Sequence, residues 1–150
     1  MKRWNYLIGF IVLTLGGGLL IGFWTAPGSW YAALAKPTFN PPNWLFAPVW
    51  SILYVLIAIA GWSTFERAGS AWPMRLWWLQ LALNFLWSPV FFSAHVIGAA
   101  LAIILLLLLA ILAFVATIWR QDRVAAWLFM PYAAWVLFAS ALNAAIWHLN

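Results

Sequence analysis

Residues Leu101–Ala116 read LAIILLLLLAILAFVA, without one polar side chain. Extended by a few residues at each end, this run forms a helix long enough to cross about 30 Å of hydrocarbon. Hydrophobic residues make up 68% of the whole chain and charged residues 6%, and the mean hydropathy is +0.99. This composition predicts an all-α integral membrane protein.

Other apolar runs of similar length lie on both sides of Leu101–Ala116. We predict a bundle of five transmembrane helices over residues 6–25, 44–65, 72–93, 96–119 and 124–149, with a structured lid loop at 26–43. Because five spans leave no room for a soluble domain, residues 1–150 are predicted to form a single domain. Lys2 and Arg3 also suit the start of a signal peptide, but the first apolar run is longer than such a peptide needs.

The basic residues are distributed unevenly between the two ends of the predicted spans. One face holds Lys2, Arg3, Arg67, Arg75, Arg120 and Arg123, and the other holds Lys36. The positive-inside rule then places the N-terminus in the cytoplasm and the lid loop and C-terminus on the periplasmic or exterior side. The net charge of +5 is therefore a topology signal that also favours lipid headgroups, and we expect no nucleic-acid partner.

Several kinds of catalytic or metal chemistry lack their usual residues. The chain has no cysteine, its acids are Glu66 and Asp122, and its histidines are His95 and His148. Both acids lie at loop edges among arginines, where solvated ion pairing explains them. We therefore predict no metal site and no cofactor, and the absence of ionisable residues deep in the spans disfavours a proton relay.

The loop between the first two spans is unusually rich in aromatic residues and proline. Residues Trp30–Trp50 read WYAALAKPTFNPPNWLFAPVW. Each of its prolines fixes φ and removes a backbone donor, so the segment is predicted to be a stiff, folded loop. A stiff aromatic loop above a membrane bundle is expected to act as a lid.

Intramembrane polarity is concentrated in two helical stripes. The stripes are Gln80, Asn84, Trp87 and Ser88 on the third span and Trp135, Ala139, Asn143 and Trp147 on the fifth. An amide in hydrocarbon needs a partner, so Asn84 either hydrogen-bonds a neighbouring helix or serves a ligand site. Trp50, Trp87 and Trp135 lie deep in spans, where flat indole faces suit a flat aromatic ligand.

Two backbone features also bear on the packing. The Gly18-x-x-x-Gly22 spacing allows another helix to approach closely, either within the chain or across a dimer seam. Pro131 is expected to kink or loosen the fifth span.

Several motifs occur together and in order along the chain. They are Trp30-Tyr31, Lys36-Pro37-x-x-Asn40-Pro41-Pro42-x-x-x-Phe46, Pro48-x-Trp50-x-x-x-Tyr54, Gln80-Leu81-x-x-Asn84-x-x-Trp87-Ser88-Pro89-x-Phe91-Phe92, Pro131-Tyr132-x-x-Trp135 and Leu142-Asn143. With these motifs the whole chain resembles the translocator protein family, also called tryptophan-rich sensory proteins or peripheral-type benzodiazepine receptors.

The resemblance implies a homodimer of five-helix bundles, each with a ligand cavity under the first loop. The implied ligands are porphyrins and haem-type tetrapyrroles, synthetic isoquinoline or benzodiazepine compounds, and sterols. By motif position, the implied pocket residues are Tyr31, Pro41, Trp50, Tyr54, Asn84, Trp87, Trp135 and Ala139.

Two departures from the family pattern concern ligand choice. The tyrosine and the basic residue of the cholesterol motif of vertebrate members are replaced by Ala144 and His148, so the sequence gives no support for specific sterol binding at this stretch. Phe39 stands where many relatives have tryptophan, which changes an aromatic contact of the loop.

Three functions follow from the resemblance and the residues together. The first is a receptor or carrier for tetrapyrroles with a stress-linked or oxygen-linked regulatory role in the bacterial inner or outer membrane. The distribution of basic residues favours the inner membrane, with a periplasmic C-terminus. The second is light-dependent breakdown of protoporphyrin, with Trp50 and Trp135 as the reactive partners. The third is a structural role in which apolar faces organise partner proteins.

Overall fold

The chain folds almost entirely into helices. The computed structural model describes residues 2–68 and 71–150, and describes side chains at 3–67 and 72–150. No strand occurs within these two ranges. The predicted domain 1–150 also includes Met1, Gly69 and Ser70, and the predicted topology uses the side chain of Lys2; these lie outside what the structure describes.

The first span is one rod built from three pieces. Helix α1 (Lys2–Ile11) leads into a π-helical turn at Val12–Gly16, and α2 (Gly17–Trp24) continues the rod. Thr14, in the π turn, is fully buried, and its one hydroxyl proton is shared between the carbonyls of Tyr54 at 2.8 Å and Phe10 at 3.0 Å. The wider turn therefore coincides with a polar contact between the rod and its neighbour.

The loop predicted at 26–43 contains a short helix that the prediction did not include. This helix, α3 (Ser29–Ala33), is followed by an extended stretch and a 3₁₀ turn at Asn43–Leu45. The prolines of the stretch explain the lack of further helix, because they remove donors and restrict their neighbours. Helix α4 (Phe46–Ala68) starts directly after the turn.

Three more helices complete the fold. Helix α5 (Ala71–Ser88) ends in a π-helical turn at Pro89–Ser93, and α6 (Ile97–Ile118) and α7 (Arg123–Leu149) follow. Helix α7 runs through Pro131 without ending.

Within residues 2–68 and 71–150, four helices are long and apolar enough to cross a membrane. They are Arg3–Trp24, Asn43–Arg67, Ile97–Ile118 and Arg123–Leu149. The prediction of an all-α membrane protein is thus confirmed over the described residues. Helix α5 does not belong to this set of four, so the count of five spans stays a prediction.

Close contacts at two glycines fix how the helices pack. A Cβ atom on Gly18 would overlap the ring of Tyr54, and one on Gly61 would overlap the indole of Trp77. Only a residue without a side chain permits these approaches. The seam at Gly18 therefore lies inside the chain, as one of the two readings of the glycine spacing predicts.

Asp122, at the start of α7, corrects an expectation. The sequence suggested a solvated ion pair, but Asp122 is only 2% exposed. Its carboxylate accepts hydrogen bonds from the amides of Val124 and Ala125 and from the hydroxyl of Ser63, and it lies 3.5 Å from the Nε of Arg67. Asp122 is a buried helix cap because it satisfies amides that the first turn leaves unpaired.

Candidate functional site

An aromatic cavity of about 390 Å³ lies between helices α2, α4, α5 and α7, beneath α3. This volume falls within the range of small-molecule sites. The lining residues are Gly18, Leu19, Ile21, Gly22, Phe23, Thr25, Pro27, Tyr31, Asn43, Phe46, Ala47, Trp50, Ser51, Tyr54, Asn84, Trp87, Ser88, Phe91, Phe92, Trp135, Ala139, Leu142, Asn143 and Ile146.

Most of the residues predicted to form a pocket meet at this cavity. Those that line it are Tyr31, Trp50, Tyr54, Asn84, Trp87, Trp135 and Ala139. Pro41 is not among the lining residues; it belongs to the extended part of the loop, where Asn40 donates a hydrogen bond to its carbonyl. The structure thus brings together seven of the eight candidates and leaves Pro41 apart.

A chain of hydrogen bonds joins three helices beside the cavity. Tyr54 donates to Asn84 at 2.8 Å, Asn84 donates to Tyr132 at 2.9 Å, and Tyr132 donates to Gln80 at 2.9 Å. All four side chains are buried. Asn84 therefore bonds neighbouring helices, as one of the two readings predicts, and it also lines the cavity, where a role in ligand binding stays a prediction.

A second amide ties the upper part of the cavity wall together. The indole N–H of Trp87 donates to the side-chain oxygen of Asn143 at 3.0 Å, and the amide of Asn143 donates to the carbonyl of Ile97 at 3.1 Å. Trp87 also stacks on Phe91, with ring centroids 5.2 Å apart. The orientation of Trp87 is therefore fixed by a polar contact on its edge and an aromatic contact on its face.

Trp135 is the one cavity residue with a buried polar atom that has no partner among the described residues. Its indole nitrogen makes no hydrogen bond, although its ring packs against Phe46 at 5.9 Å and Phe138 at 5.5 Å. Leaving a buried donor unpaired costs about 1–3 kcal/mol. Because this nitrogen has almost no accessible surface, a ligand in the cavity would meet the ring of Trp135 rather than its N–H.

The short helix α3 covers one end of the cavity. Tyr31 is buried against Phe91 and Phe92, with centroids 6.2 and 5.3 Å away. Burial raises the pKa of Tyr31, which keeps its hydroxyl protonated as a donor to Asn40 at 3.4 Å. Trp30 stacks on His95 at 4.1 Å, and His95 has a φ of 60° in the turn before α6.

Two polar contacts fasten α3 and the chain after it. The ammonium of Lys36 donates to the carbonyls of Tyr31 at 2.6 Å and Leu34 at 3.1 Å, where positive charge complements a helix C-terminus. The side chain of Asn150 donates to the carbonyl of Ala35 and accepts from its amide, both at 3.0 Å. We call this paired contact between Asn150 and Ala35 the clasp.

Several lining residues were not among the predicted pocket residues. Phe46, Phe91, Phe92 and Asn143 all line the cavity, and each belongs to a motif or stripe that the sequence displayed. The signal for the phenylalanines was ambiguous because apolar aromatics suit lipid contact equally well. Only the packing of the helices shows that these phenylalanines face the cavity rather than lipid.

The side chains that line the cavity are suited to binding an apolar ligand rather than to acid–base catalysis. Over residues 2–68 and 71–150, no group of three His, Cys, Asp or Glu side chains comes together to hold a metal ion. The cavity instead combines indole and phenyl faces with amides whose positions are fixed by hydrogen bonds. Such a site orients an apolar ligand through a few polar contacts.

Comparison with known proteins agrees with this construction. The sequence model of the TspO/MBR family matches residues 10–148. The tryptophan-rich protein TspO of Archaeoglobus fulgidus is 40% identical over 148 residues, which covers 96% of both chains. The translocator protein of Sus scrofa is 37% identical over 155 residues, covering 98% of this chain and 91% of its own.

A further relative is called a tryptophan-rich sensory protein. It comes from Cereibacter sphaeroides and is 33% identical over 147 residues, covering 98% of this chain and 92% of its own. The family match and these identities extend over nearly the whole chain, so they include the helices and loop that build the cavity. The chain therefore belongs to the TspO/MBR family of multi-pass membrane proteins.

Proposed function

We propose that this protein is a membrane receptor or carrier that binds porphyrins and related haem-type tetrapyrroles in the aromatic cavity. The observation that carries the proposal is the convergence of Trp50, Trp87 and Trp135 on one cavity with fixed amides. A flat ring gains dispersion and apolar burial between indole faces. Synthetic isoquinoline or benzodiazepine compounds and sterols share enough apolar surface to compete for the same space.

The polar groups of the cavity suggest how such a ring is oriented. The amides of Asn84 and Asn143 are already used within the protein. The indole N–H of Trp135 has no partner in the described structure. A rotation of the indole would present this N–H to the cavity, where it would donate to a carboxylate or carbonyl at the edge of a ring whose face rests on Trp50.

The proposed function includes a topology of five spans in one domain. Helix α5 supplies the fifth span, because its buried polar residues Asn84 and Gln80 hydrogen-bond Tyr54 and Tyr132 inside the bundle, whereas Leu79 and Leu86 are about half exposed on its outer side. If the protein lies in a bacterial inner membrane, the excess of basic residues then favours an N-terminus on the cytoplasmic side and a clasp on the periplasmic side.

A homodimer and a regulatory role complete the proposal. Exposed leucines along α6, Leu105, Leu106, Leu109 and Leu112, offer an apolar face to lipid or to a second copy. Stress-linked or oxygen-linked regulation would act through occupancy of the cavity, and the name "sensory protein" is carried by one relative.

Binding is tested by titrating the purified protein with protoporphyrin in the dark while following tryptophan fluorescence. We expect saturable quenching for the wild type and weaker affinity for the double variant Trp135→Phe, Asn84→Ala. Trp127→Phe is a matched control, because Trp127 is 61% exposed and does not line the cavity. An unchanged affinity for the double variant would show that the ligand binds elsewhere.

A second candidate function is light-dependent breakdown of protoporphyrin, favoured by the presence of Trp50 and Trp135 in the same cavity. The same titration under illumination separates the two. Loss of the porphyrin absorption that requires both tryptophans would assign the chain to enzymes. A stable porphyrin spectrum would support the receptor or carrier function. So would a loss of porphyrin absorption that proceeds equally in the Trp50→Phe and Trp135→Phe variants.

A further inference from the structure

The end of the cavity that faces the loop is closed. Tyr31 is 5% exposed and packs on Phe91 and Phe92, so its ring blocks the space between α3 and the bundle. Lys36 and the clasp between Asn150 and Ala35 hold the loop in this position. A ligand that arrived from water at this end would have to break these contacts.

The side of the cavity between α2 and α4 is open, in contrast to the loop end. Two glycines one helical turn apart on α2 show this difference. At Gly18 the helices touch, because a Cβ atom there would overlap the Tyr54 ring. At Gly22 a Cβ atom would meet nothing within 4 Å, although Gly22 lines the cavity and is exposed. The two helices therefore diverge from Gly18 towards the loop and leave a gap at Gly22.

The rim of this gap is apolar and faces outwards. On α2 it includes Leu19 and Phe23, which are 53% and 79% exposed and also line the cavity. On α4 it includes Ala47 and Ser51, and the Ser51 hydroxyl is occupied by a 2.8 Å hydrogen bond to the Ala47 carbonyl. This rim is compatible with contact to hydrocarbon, because its helical backbone groups and the Ser51 hydroxyl are already hydrogen-bonded.

We propose that the gap at Gly22, which we call the Gly22 window, is the route by which the cavity takes its ligand directly from the bilayer. The chemical class admitted is a flat, apolar molecule that partitions into hydrocarbon, and Gly22 is the residue that keeps the route open. The identity of the ligand rests on the proposed function. The route itself rests on the gap, its apolar rim and the closed loop end.

The kinetic test uses Gly22→Leu, whose side chain fills the window, in protein reconstituted into lipid nanodiscs. Protoporphyrin is added in the membrane, and tryptophan quenching gives the association and dissociation rates. Gly9→Leu is the matched control, because Gly9 is an exposed glycine of the same rod with nothing within 4 Å and does not line the cavity. We expect both rates to fall by about tenfold in Gly22→Leu and to stay at the wild-type value in Gly9→Leu.

A clasp variant, Asn150→Ala, distinguishes the window from the loop end. Entry through the window predicts rates within about twofold of the wild type, because the clasp does not lie on the route. Rates that rise in Asn150→Ala while Gly22→Leu behaves like Gly9→Leu would overturn the proposal. Complete loss of binding in Gly22→Leu, combined with normal rates in Gly22→Ala, would also count against it, since the position would then affect the site rather than the route.

A second measurement does not depend on porphyrin binding. The chain has no cysteine, so a spin label on Ala47→Cys reports on the rim alone. We expect the label to collide more often with oxygen, which concentrates in lipid, than with a water-soluble nickel chelate, and Gly22→Leu to reduce the oxygen collisions. A label accessible to the nickel chelate would refute the window, whereas absence of saturable quenching in the wild type would refute only the proposed function.

Discussion

Tyr54 on α4 donates a 2.8 Å hydrogen bond to the side-chain oxygen of Asn84 on α5, and Asn84 donates in turn to Tyr132 on α7. One amide thus connects three helices at the wall of the cavity. The same contact shapes the site and stabilises the bundle, because an unpaired amide in hydrocarbon would cost free energy. The geometry of the cavity and the stability of the fold are therefore coupled at Asn84.

Replacing Tyr54 with Phe is expected to lower stability by about 1 kcal/mol, because the variant keeps the ring but leaves the Asn84 oxygen without its donor. In detergent, thermal unfolding should shift downwards by about 2–4 °C. Tyr6→Phe is the control, since Tyr6 is 49% exposed. A Tyr54→Phe variant as stable as Tyr6→Phe would show that the hydrogen bond contributes nothing measurable.

The two glycines of the first rod should respond in opposite ways to the same substitution. Gly18→Ala forces a methyl group into the Tyr54 ring and is expected to destabilise the protein by about 1–3 kcal/mol. Gly22→Ala meets open space and should be neutral or stabilising by up to about 1 kcal/mol, since alanine favours helix. Thermal unfolding of both variants in the same detergent makes the comparison, and equal shifts would contradict the divergence of α2 from α4.

The helical class and the deep aromatic residues could be predicted from the sequence because they depend on local pattern. The run Leu101–Ala116 requires a membrane helix in any fold, and the spacing of Gln80, Asn84 and Trp87 puts them on one helical face whatever they contact. Membership of the family then allowed pocket positions to be transferred, and most of them line the cavity.

The remaining features depend on contacts between distant residues. The clasp joins Ala35 to Asn150, and the buried Asp122 accepts a hydrogen bond from Ser63 on another helix, so neither contact leaves a local signal. The π turns at Val12–Gly16 and Pro89–Ser93 also escaped prediction, because helix periodicity hides one wide turn. Pro41 was transferred by motif alone, and the fold places it away from the cavity lining.

The clasp can be tested by hydrogen exchange. Asn150→Ala removes the acceptor for the amide of Ala35 and the donor to its carbonyl. We expect exchange at residues 34–36 to accelerate by about tenfold, while α4 and α7 exchange as in the wild type. Asn5→Ala is a suitable control, because Asn5 is an exposed amide near the other end of the chain. Unchanged protection at Ala35 would show that other contacts, such as those of Lys36, suffice to hold the loop.

The two acids should differ sharply in their effect on stability. Asp122 is buried and caps α7 through two 3.1 Å hydrogen bonds, whereas Glu66 pairs with Arg3, whose side chain is 77% exposed. Asp122→Ala is expected to cost about 1–2 kcal/mol, because it removes the cap and leaves the first turn of α7 unpaired. Glu66→Gln is expected to cost less than about 1 kcal/mol, because Glu66 is 16% exposed but its partner Arg3 is 77% exposed, so that solvent screens the pair.

Asp122→Asn separates the cap from the charge, since asparagine caps a helix as well as aspartate does. We expect its thermal unfolding to lie between those of Asp122→Ala and the wild type, with the remaining loss due to the contacts with Ser63 and Arg67. If Asp122→Asn is as unstable as Asp122→Ala, the charge and not the cap is the main contribution. If Asp122→Ala is no less stable than Glu66→Gln, the buried cap does not stabilise α7.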